Sequence, residues 1–144
     1  MKKLLTILCL VLLVSCSNEV PPDQLVERQR IKYEINSTTP FTGSSVSYYK
    51  NGQLGTREDY KNGKSHGVKE IYFENGQLER KTTWKNGNLD GLWEYYYENG
   101  QLRERGNLKS IFLGIGREEG FLEYFDKDGN LTKTEEWKDG ELIE

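Results

Sequence analysis

The chain has little of the residue chemistry that catalysis, metal binding and disulfide bonds use. Its 144 residues include one histidine, two cysteines, one methionine and three prolines. Its main apolar run, residues 4–14, is interrupted only by Thr6. Eleven residues cannot cross a bilayer core of about 30 Å. The sequence therefore argues against a transmembrane helix at this position.

The N-terminus instead has the organisation of a secretory signal. Lys2 and Lys3 precede the apolar run, and Leu-Val-Ser-Cys closes it at Cys16. This ending resembles the lipobox of bacterial lipoproteins, which implies cleavage before Cys16 and lipidation of that cysteine. We therefore expect a signal peptide over 1–15, then the lipidated cysteine and a tether over 16–30. A plain secretory signal that a cysteine happens to follow is the alternative.

The predicted cleavage leaves an acidic chain with one cysteine. Without Lys2 and Lys3, 18 basic residues stand against 23 acidic ones, and Cys16 has no partner for an intrachain disulfide. The basic residues are scattered among acidic ones, so no stripe for nucleic-acid phosphates is present. We expect a bacterial envelope protein that does not bind nucleic acid. Ser17 after the cysteine favours the outer membrane if the organism is Gram-negative.

Most of the chain is periodic, and we assign residues 31–144 to a repeat domain. Repeats start at Gly43, Gly67, Gly91 and Gly120. Nine residues after each start comes another glycine, which follows Asn or Asp, and further Asn-Gly or Asp-Gly pairs come later in three of the repeats. Such pairs between β-rich runs are strong hairpin signals. Ile31, Tyr33 and Ile35 alternate with charged residues and indicate a strand before the repeats.

The spacing also predicts the first turn of each repeat and the register that follows it. A three-residue loop with glycine in the left-handed conformation places the tyrosine at position 5 of a repeat opposite the leucine at position 11, as for Tyr72 and Leu78. The even period then puts every odd position on one face, including the position-17 aromatics such as Trp84. The same register pairs Glu70 with Arg80, and Glu123 with Lys133. It leaves Glu94 opposite Glu104 without an explanation.

Two motifs carry a resemblance to a known family. Tyr-Lys-Asn-Gly-Lys-Ser-His-Gly (60–67) and Trp-Lys-Asn-Gly-Asn-Leu-Asp-Gly (84–91) resemble the MORN repeat. Tyr-x-Glu-Asn-Gly-Gln-Leu together with Pro-Phe-Thr-Gly (40–43) is similar to its bacterial variant, the YwqK-like antitoxin family. The resemblance covers about residues 31–144. It implies an all-β fold, an elongated antiparallel meander of repeated β-hairpins in a single-sheet solenoid, with protein or lipid contacts as its usual function.

We expect no enzymatic activity, cofactor or metal site. His66 occupies a position held by Asp90 and Glu119 in other repeats, which favours a polar turn residue over a catalytic base. Acidic residues are dispersed at the repeat spacing rather than converging like metal ligands. The run from Gly114 to Gly120 is only weakly similar to a dinucleotide fingerprint, because no helix pattern follows it.

Two features are candidates for binding. The first is a set of aromatics at even positions that includes Trp93, Tyr95, Tyr97 and Tyr124, because tyrosine and tryptophan make low-entropy contacts with partners. Shielding of a one-layer sheet is the alternative role. The second is the insertion around Ile111, Phe112 and Leu113, which either faces a partner or folds over the sheet edge.

These observations favour a membrane-anchored repeat module for protein–protein interaction in the bacterial envelope. The partner is an unknown protein, a toxin among the possibilities, or another envelope component. An immunity or antitoxin protein and an envelope glycan binder are the alternatives.

Overall fold

A computed structural model describes residues 18–110 and 116–143, with side chains described for 18–109 and 117–143. Cys16, Ile111, Phe112 and Leu113 lie outside the described residues. The strands are β1 (Glu19–Val20), β2 (Leu25–Arg28), β3 (Ile31–Glu34), β4 (Gly43–Tyr48), β5 (Leu54–Lys61), β6 (Lys64–Tyr72), β7 (Leu78–Lys85), β8 (Asn88–Tyr96), β9 (Leu102–Ser110), β10 (Gly116–Glu118), β11 (Gly120–Phe125), β12 (Leu131–Lys138) and β13 (Glu141–Leu142). One short 3-10 helix covers Pro22–Gln24. No helix in the described part of the chain is long and apolar enough to cross a membrane.

The strands form one long sheet and one small hairpin. The order in the main sheet is β1-β4-β5-β6-β7-β8-β9-β11-β12-β13, with β10 also paired to β9, and β2 pairs only with β3. Every pairing in the main sheet is antiparallel except that of β1 with β4. This confirms the predicted meander of hairpins.

The first turn of each repeat is the predicted three-residue loop. In the second repeat the Phe73 N–H donates to the Gln77 carbonyl, and the Gly76 N–H donates to the Phe73 carbonyl. Gly76 has a φ of 85°, the left-handed conformation that glycine adopts without strain. Tyr72 lies opposite Leu78 as predicted. The return turns are shorter, since Asn62 and Gly63 both have positive φ and join Lys61 directly to Lys64.

Asparagine side chains connect the first turns of successive repeats. Asn75 Oδ1 accepts from the Gln77 N–H at 2.9 Å, and its Nδ2 donates to the Glu98 carbonyl in the next turn at 3.0 Å. Asn51 and Asn99 make the equivalent pair of bonds. The repeated Asn-Gly-Gln sequence therefore stabilises both its own turn and the stacking of neighbouring turns.

Each repeat also contains a β-bulge after its first turn, and because of this bulge the predicted register is wrong by one residue. One residue before the tyrosine or phenylalanine that faces the leucine, the pairing shifts by one, as between Ile71 and Tyr72. Ile71 therefore faces Arg80, and Glu70 faces Lys81 rather than Arg80. The extra residues are Gly55, Glu79, Arg103 and Thr132. Such a bulge places two residues opposite one, so the position-17 aromatics lie on the face opposite to the one predicted.

The corrected register explains Glu94, which the predicted register left opposite Glu104, and changes the partner of Glu123. Glu94 faces Arg105 and not Glu104, while Glu123 faces Thr134 on one side, not Lys133, and Arg105 on the other. Basic and acidic residues then alternate across six adjacent strands. We call this surface the charged face; its row consists of Arg57, Glu70, Lys81, Glu94, Arg105 and Glu123.

The N-terminal residues pack on the first repeat. Val20 is 6% exposed and lies beside Ser45 of β4, so β1 covers the edge of the sheet, which would otherwise present free backbone groups. Phe41 is 3% exposed, and its ring centroid is 5.8 Å from that of Tyr60. The Lys32 N–H donates to the Gly63 carbonyl and fixes the β2–β3 hairpin beside the first return turn. Part of the segment predicted as a tether is thus integrated with the domain.

Candidate functional site

The second face of the sheet carries all three tryptophans, and we call it the aromatic face. Thr82 faces Trp93, and Tyr95 faces Glu104, which in turn faces Tyr124. Trp84 and Trp137 share this face because they lie two residues from Thr82 and Glu135 on their own strands. The aromatic face is defined by Trp84, Trp93, Tyr95, Tyr124 and Trp137. The register places these rings on neighbouring strands.

Tyr95 lies at the centre of a cluster of rings and guanidinium groups. The Arg80 guanidinium on β7 is 4.7 Å from the Tyr95 ring centroid, and that of Arg103 on β9 is 5.4 Å away. The Trp93 ring centroid is 5.2 Å from that of Tyr95, with the planes tilted by 54°. A cation this close to an aromatic ring is attracted by its quadrupole, with about 0.5–1 kcal/mol for an exposed pair. The contacts therefore hold Tyr95 between two arginines.

The Trp93 ring packs against Gly106, the residue of β9 that faces it and that has no side chain. A Cβ atom at Gly106 would lie 2.9 Å from the Trp93 ring and 2.6 Å from Leu122 Cδ1. Leu122 is 8% exposed, among the most buried apolar side chains that the structure describes. Gly106 thus allows the indole and Leu122 to approach the backbone of β9. This close packing fixes the position of Trp93.

The three indole N–H groups differ in their hydrogen bonding. Trp84 Nε1 donates to Thr82 Oγ1 at 2.9 Å, and Trp137 Nε1 donates to Glu135 Oε2 at 3.0 Å. In the described part of the chain, Trp93 Nε1 and Arg80 Nε are buried and have no hydrogen-bond partner. Buried donors are rarely left unpaired, because an unpaired one costs about 1–3 kcal/mol. Trp93 and Arg80, which carry these two donors, both contact the Tyr95 ring.

Three cations of the aromatic face pair with carboxylates. Lys69 lies 2.9 Å from Glu58, Arg103 lies 2.8 Å from Glu104, and Lys133 pairs with Glu135. The pKa of Glu135 is lowered by its hydrogen bond from Lys133 and then by that from Trp137. Among the ion pairs between described residues none includes Arg80, whose contact is with the Tyr95 ring. This half-buried guanidinium therefore contacts an aromatic ring and no carboxylate in the ion pairs of the described residues.

Three consecutive segments match a known family. The family model of the MORN repeat variant matches residues 41–64, 65–86 and 89–110. These residues are MORN variant repeats. No curated protein matches the chain. The MORN variant repeats coincide with the first three predicted repeats, and β11 and β12 reproduce the same hairpin and the same bulge beyond the matched residues.

The structure brings together some of the predicted binding residues of the MORN variant repeats. Trp93 and Tyr95 are in contact, whereas Tyr97 lies near the hairpin turn and donates its hydroxyl to the Phe125 carbonyl at 2.9 Å. The hydroxyl of Tyr97 therefore stabilises the stacking of repeats. Sequence analysis missed Arg80 and Arg103. The predicted register placed Arg80 opposite Glu70 on the other face. The contact between Arg80 and Tyr95 therefore could not be predicted without the bulge.

A groove lies between the β2–β3 hairpin and the sheet. It has a volume of about 840 Å³, and polar side chains that include Arg30, Lys64 and Glu58 line it. Ser65 Oγ donates to Glu58 at 2.6 Å. Burial, followed by the proximity of Glu58, raises the pKa of Tyr60 above its usual range. No group of three or more histidine, cysteine or acidic residues able to hold a metal ion occurs in residues 18–110 or 116–143.

His66 lies beside a return turn. Its Nδ1 atom is 3.3 Å from Asn86 Oδ1. Residues Gly116–Glu118 of the glycine-rich run form β10, which pairs with β9. Both regions therefore take part in hairpin structure.

Proposed function

We propose that this protein is a non-enzymatic repeat module, anchored to the bacterial envelope by lipid on Cys16, that binds a protein partner through its aromatic face. The observation that carries the proposal is the cluster of Trp93, Tyr95, Arg80 and Arg103 on a one-layer sheet. The strands that carry it contact chiefly their neighbours in the same sheet. Tryptophan, tyrosine and arginine are the residues most enriched among energetically important interface positions.

The MORN variant repeats support the general class of this proposal. A repeat whose hairpins contact only their neighbours makes an extended surface rather than an enclosed cavity. Large extended surfaces suit macromolecular partners better than small molecules, which favour concave pockets. Protein binding is therefore the function that this architecture supports best.

The proposed anchor is supported by the sequence around Cys16 and by the position of the first described residues. The Asn18 carbonyl accepts a hydrogen bond from the Ser44 N–H at 2.9 Å, so Asn18 is already part of the packed domain. Two residues span at most about 7 Å. A lipid on Cys16 would hold the domain close to the bilayer. Stable anchoring takes more than one acyl chain.

Co-purification from detergent-solubilised membranes tests both parts of the proposal. We expect the wild-type protein to incorporate a fatty-acid probe and to retain an envelope protein. The Cys16→Ser variant should remain unprocessed and unlabelled. Unmodified mature protein free of the membrane would contradict the anchor.

The identity of the retained material decides the binding part. A secreted toxin would assign the module to immunity. Retention of polysaccharide without protein would contradict protein binding and favour glycan binding.

A further inference from the structure

The row of the charged face contains an even number of charges in strict alternation. It begins with a positive residue on β5 and ends with a negative one on β11. The residues that continue the row on either side, Val46 and Thr134, are uncharged. Read in the reverse order, such a row has the opposite sign at every position. A second copy of the chain, placed face to face with its strand order reversed, therefore presents an opposite charge to each member of the row.

Two copies in this arrangement are related by a two-fold axis that runs parallel to the strands, between β7 and β8. An interface of this kind is self-complementary, because the same surface is used by both copies. The facing pairs, each made twice, are Arg57 with Glu123, Glu70 with Arg105, and Lys81 with Glu94. A two-fold axis across the strands would instead place each charge opposite its own copy. A shift by one strand would also place like charges opposite each other, so the row selects one axis and one register.

Exposed apolar side chains lie beside the row on the same face. Leu92 precedes Glu94 by two residues and is 47% exposed, and Phe121 precedes Glu123 by two residues and is 62% exposed. Residues two apart in a strand point to the same side of the sheet. A second copy that covers the row would remove these side chains from water, which is favourable.

The area of the face is sufficient for a stable dimer. Adjacent strands lie about 4.8 Å apart, so the strands that carry the row span about 24 Å. Strands β5 to β9 have eight or nine residues each, which corresponds to a length of about 27 Å. Two copies would therefore bury about 1,300 Å² in total, within the range of specific protein interfaces.

The same axis agrees with the proposed anchor. Asn18 bonds to Ser44 at the start of β4, and Gly43 lies opposite Tyr60, beside the first return turn. A two-fold axis parallel to the strands keeps the return-turn edges of both copies on the same side of the dimer. Lipids on both copies of Cys16 can then enter one bilayer. An axis across the strands would place the two Asn18 residues at opposite edges.

We infer that two copies of this chain stack through their charged faces, about the axis between β7 and β8, and leave both aromatic faces on the outside. Stacked sheets lie about 10 Å apart, a distance that facing arginine, lysine and glutamate side chains span together. The pairs within each sheet stay in place, and each charge gains an opposite charge from the other copy. This goes beyond the proposed function, since one dimer presents two aromatic faces to a partner.

Charge reversal at the centre of the row tests the dimer. The lipidated chain is dissolved in detergent with micelles in large excess, and its mass is measured by sedimentation velocity. We expect the wild type to be a dimer. Lys81→Glu and Glu94→Lys each bring two pairs of like charges together across the axis. Each variant alone should raise the dimer dissociation constant by about tenfold to a hundredfold.

Mixing the two variants separates charge pairing from misfolding. The copy with Lys81→Glu carries two glutamates where the copy with Glu94→Lys carries two lysines. In the mixed dimer every reversed charge again faces its opposite. Two copies with different affinity tags should therefore form a mixed dimer about as readily as two wild-type copies. A variant that had only lost its fold would not recover on mixing.

Lys85→Glu is the matched control for these variants. It makes the same change of charge as Lys81→Glu at the end of β7, where the cross-strand partner is Asn88. It should dimerise like the wild type. A monomeric wild type, an equal loss of dimer in Lys85→Glu, or the absence of the mixed dimer would each overturn the inference.

Crosslinking in membranes tests the same surface without detergent. A photoreactive phenylalanine analogue at Phe121 should join two copies of the chain, whereas the same analogue at Ile71, on the aromatic face, should not. Crosslinks between copies from position 71 and not from position 121 would reject the charged face as the dimer interface. Neither measurement needs a partner protein, so its outcome is independent of the proposed function.

Discussion

The position of Trp93 depends on a residue that has no side chain. Gly106 has an ordinary backbone conformation, since it is absent from the positive-φ residues of the described chain. Its role is therefore steric rather than conformational. The indole and Leu122 occupy the space that a Cβ atom would need. The ring of Trp93, a candidate binding residue, is thus fixed by the absence of a side chain at Gly106.

Gly106→Ala should destabilise the protein because the added methyl overlaps Leu122 and Trp93. Overpacking of this kind costs about 1–3 kcal/mol in the free energy of unfolding. Gly55→Ala is the matched control, since its Cβ would meet Tyr49 at an ordinary 3.4 Å. Urea denaturation measures both. Equal stability of the two variants would show that Trp93 and Leu122 are not held as described.

Tyr60 should make the protein sensitive to alkaline pH. Burial and Glu58 raise the pKa of its phenol in the folded state, whereas the unfolded chain releases this proton near pH 10. The unfolded state then binds fewer protons, so stability falls as pH rises above about 10. Burial raises the pKa values of Tyr72, Tyr96 and Tyr124 in the same direction.

Tyr60→Phe should accordingly reduce, without abolishing, the loss of stability between about pH 9 and pH 11. Urea melts at several pH values measure the slope. A slope as steep as that of the wild type would rule out Tyr60 as a contributor.

At the scale of strands and turns, the sequence predicts the hairpin turns but does not predict the β-bulges. The Asn-Gly pairs predict both kinds of hairpin because their conformations demand particular residues. The bulge positions hold Gly55, Glu79, Arg103 and Thr132, which share no residue type. The spacing of the repeats therefore does not predict the one-residue shift in cross-strand register. Trp93 and Tyr95 could be predicted as candidates, but the partnership of Arg80 with Tyr95 depended on the shift.

The alternating row of the charged face is an element-scale consequence of that shift. Lys81 lies between Glu70 and Glu94, and each opposite-charge pair across strands contributes about 0.2–1 kcal/mol. Lys81→Glu would place three carboxylates side by side. We expect a loss of about 1 kcal/mol or more in unfolding free energy. Higher salt should reduce this loss because it screens exposed charges.

Lys85→Glu is the control for the row. It makes the same change of charge at the end of β7, where the cross-strand partner is Asn88. Urea denaturation at low and high salt compares the two variants. Similar losses in both would mean that net charge, and not the alternating row, determines the effect.

At the scale of the whole molecule, the two faces of the sheet have different compositions. The charged face balances its row of charges across adjacent strands. The aromatic face leaves two buried N–H donors, Arg80 Nε and Trp93 Nε1, without hydrogen-bond partners on the described residues. A partner that covers the aromatic face would gain hydrogen bonds. A partner that covers the charged face would disturb the existing cross-strand charge pairs. This difference supports the proposal that a partner binds the aromatic face.

Site-specific photo-crosslinking in membranes tests this choice of face most directly. A photoreactive phenylalanine analogue at Ile71 reports on the aromatic face beside Arg80. The same analogue at Leu92, which is 47% exposed, reports on the opposite face next to Trp93 in sequence. The account predicts that the co-purified partner is crosslinked from position 71 and not from position 92. Crosslinking from position 92 alone would contradict it.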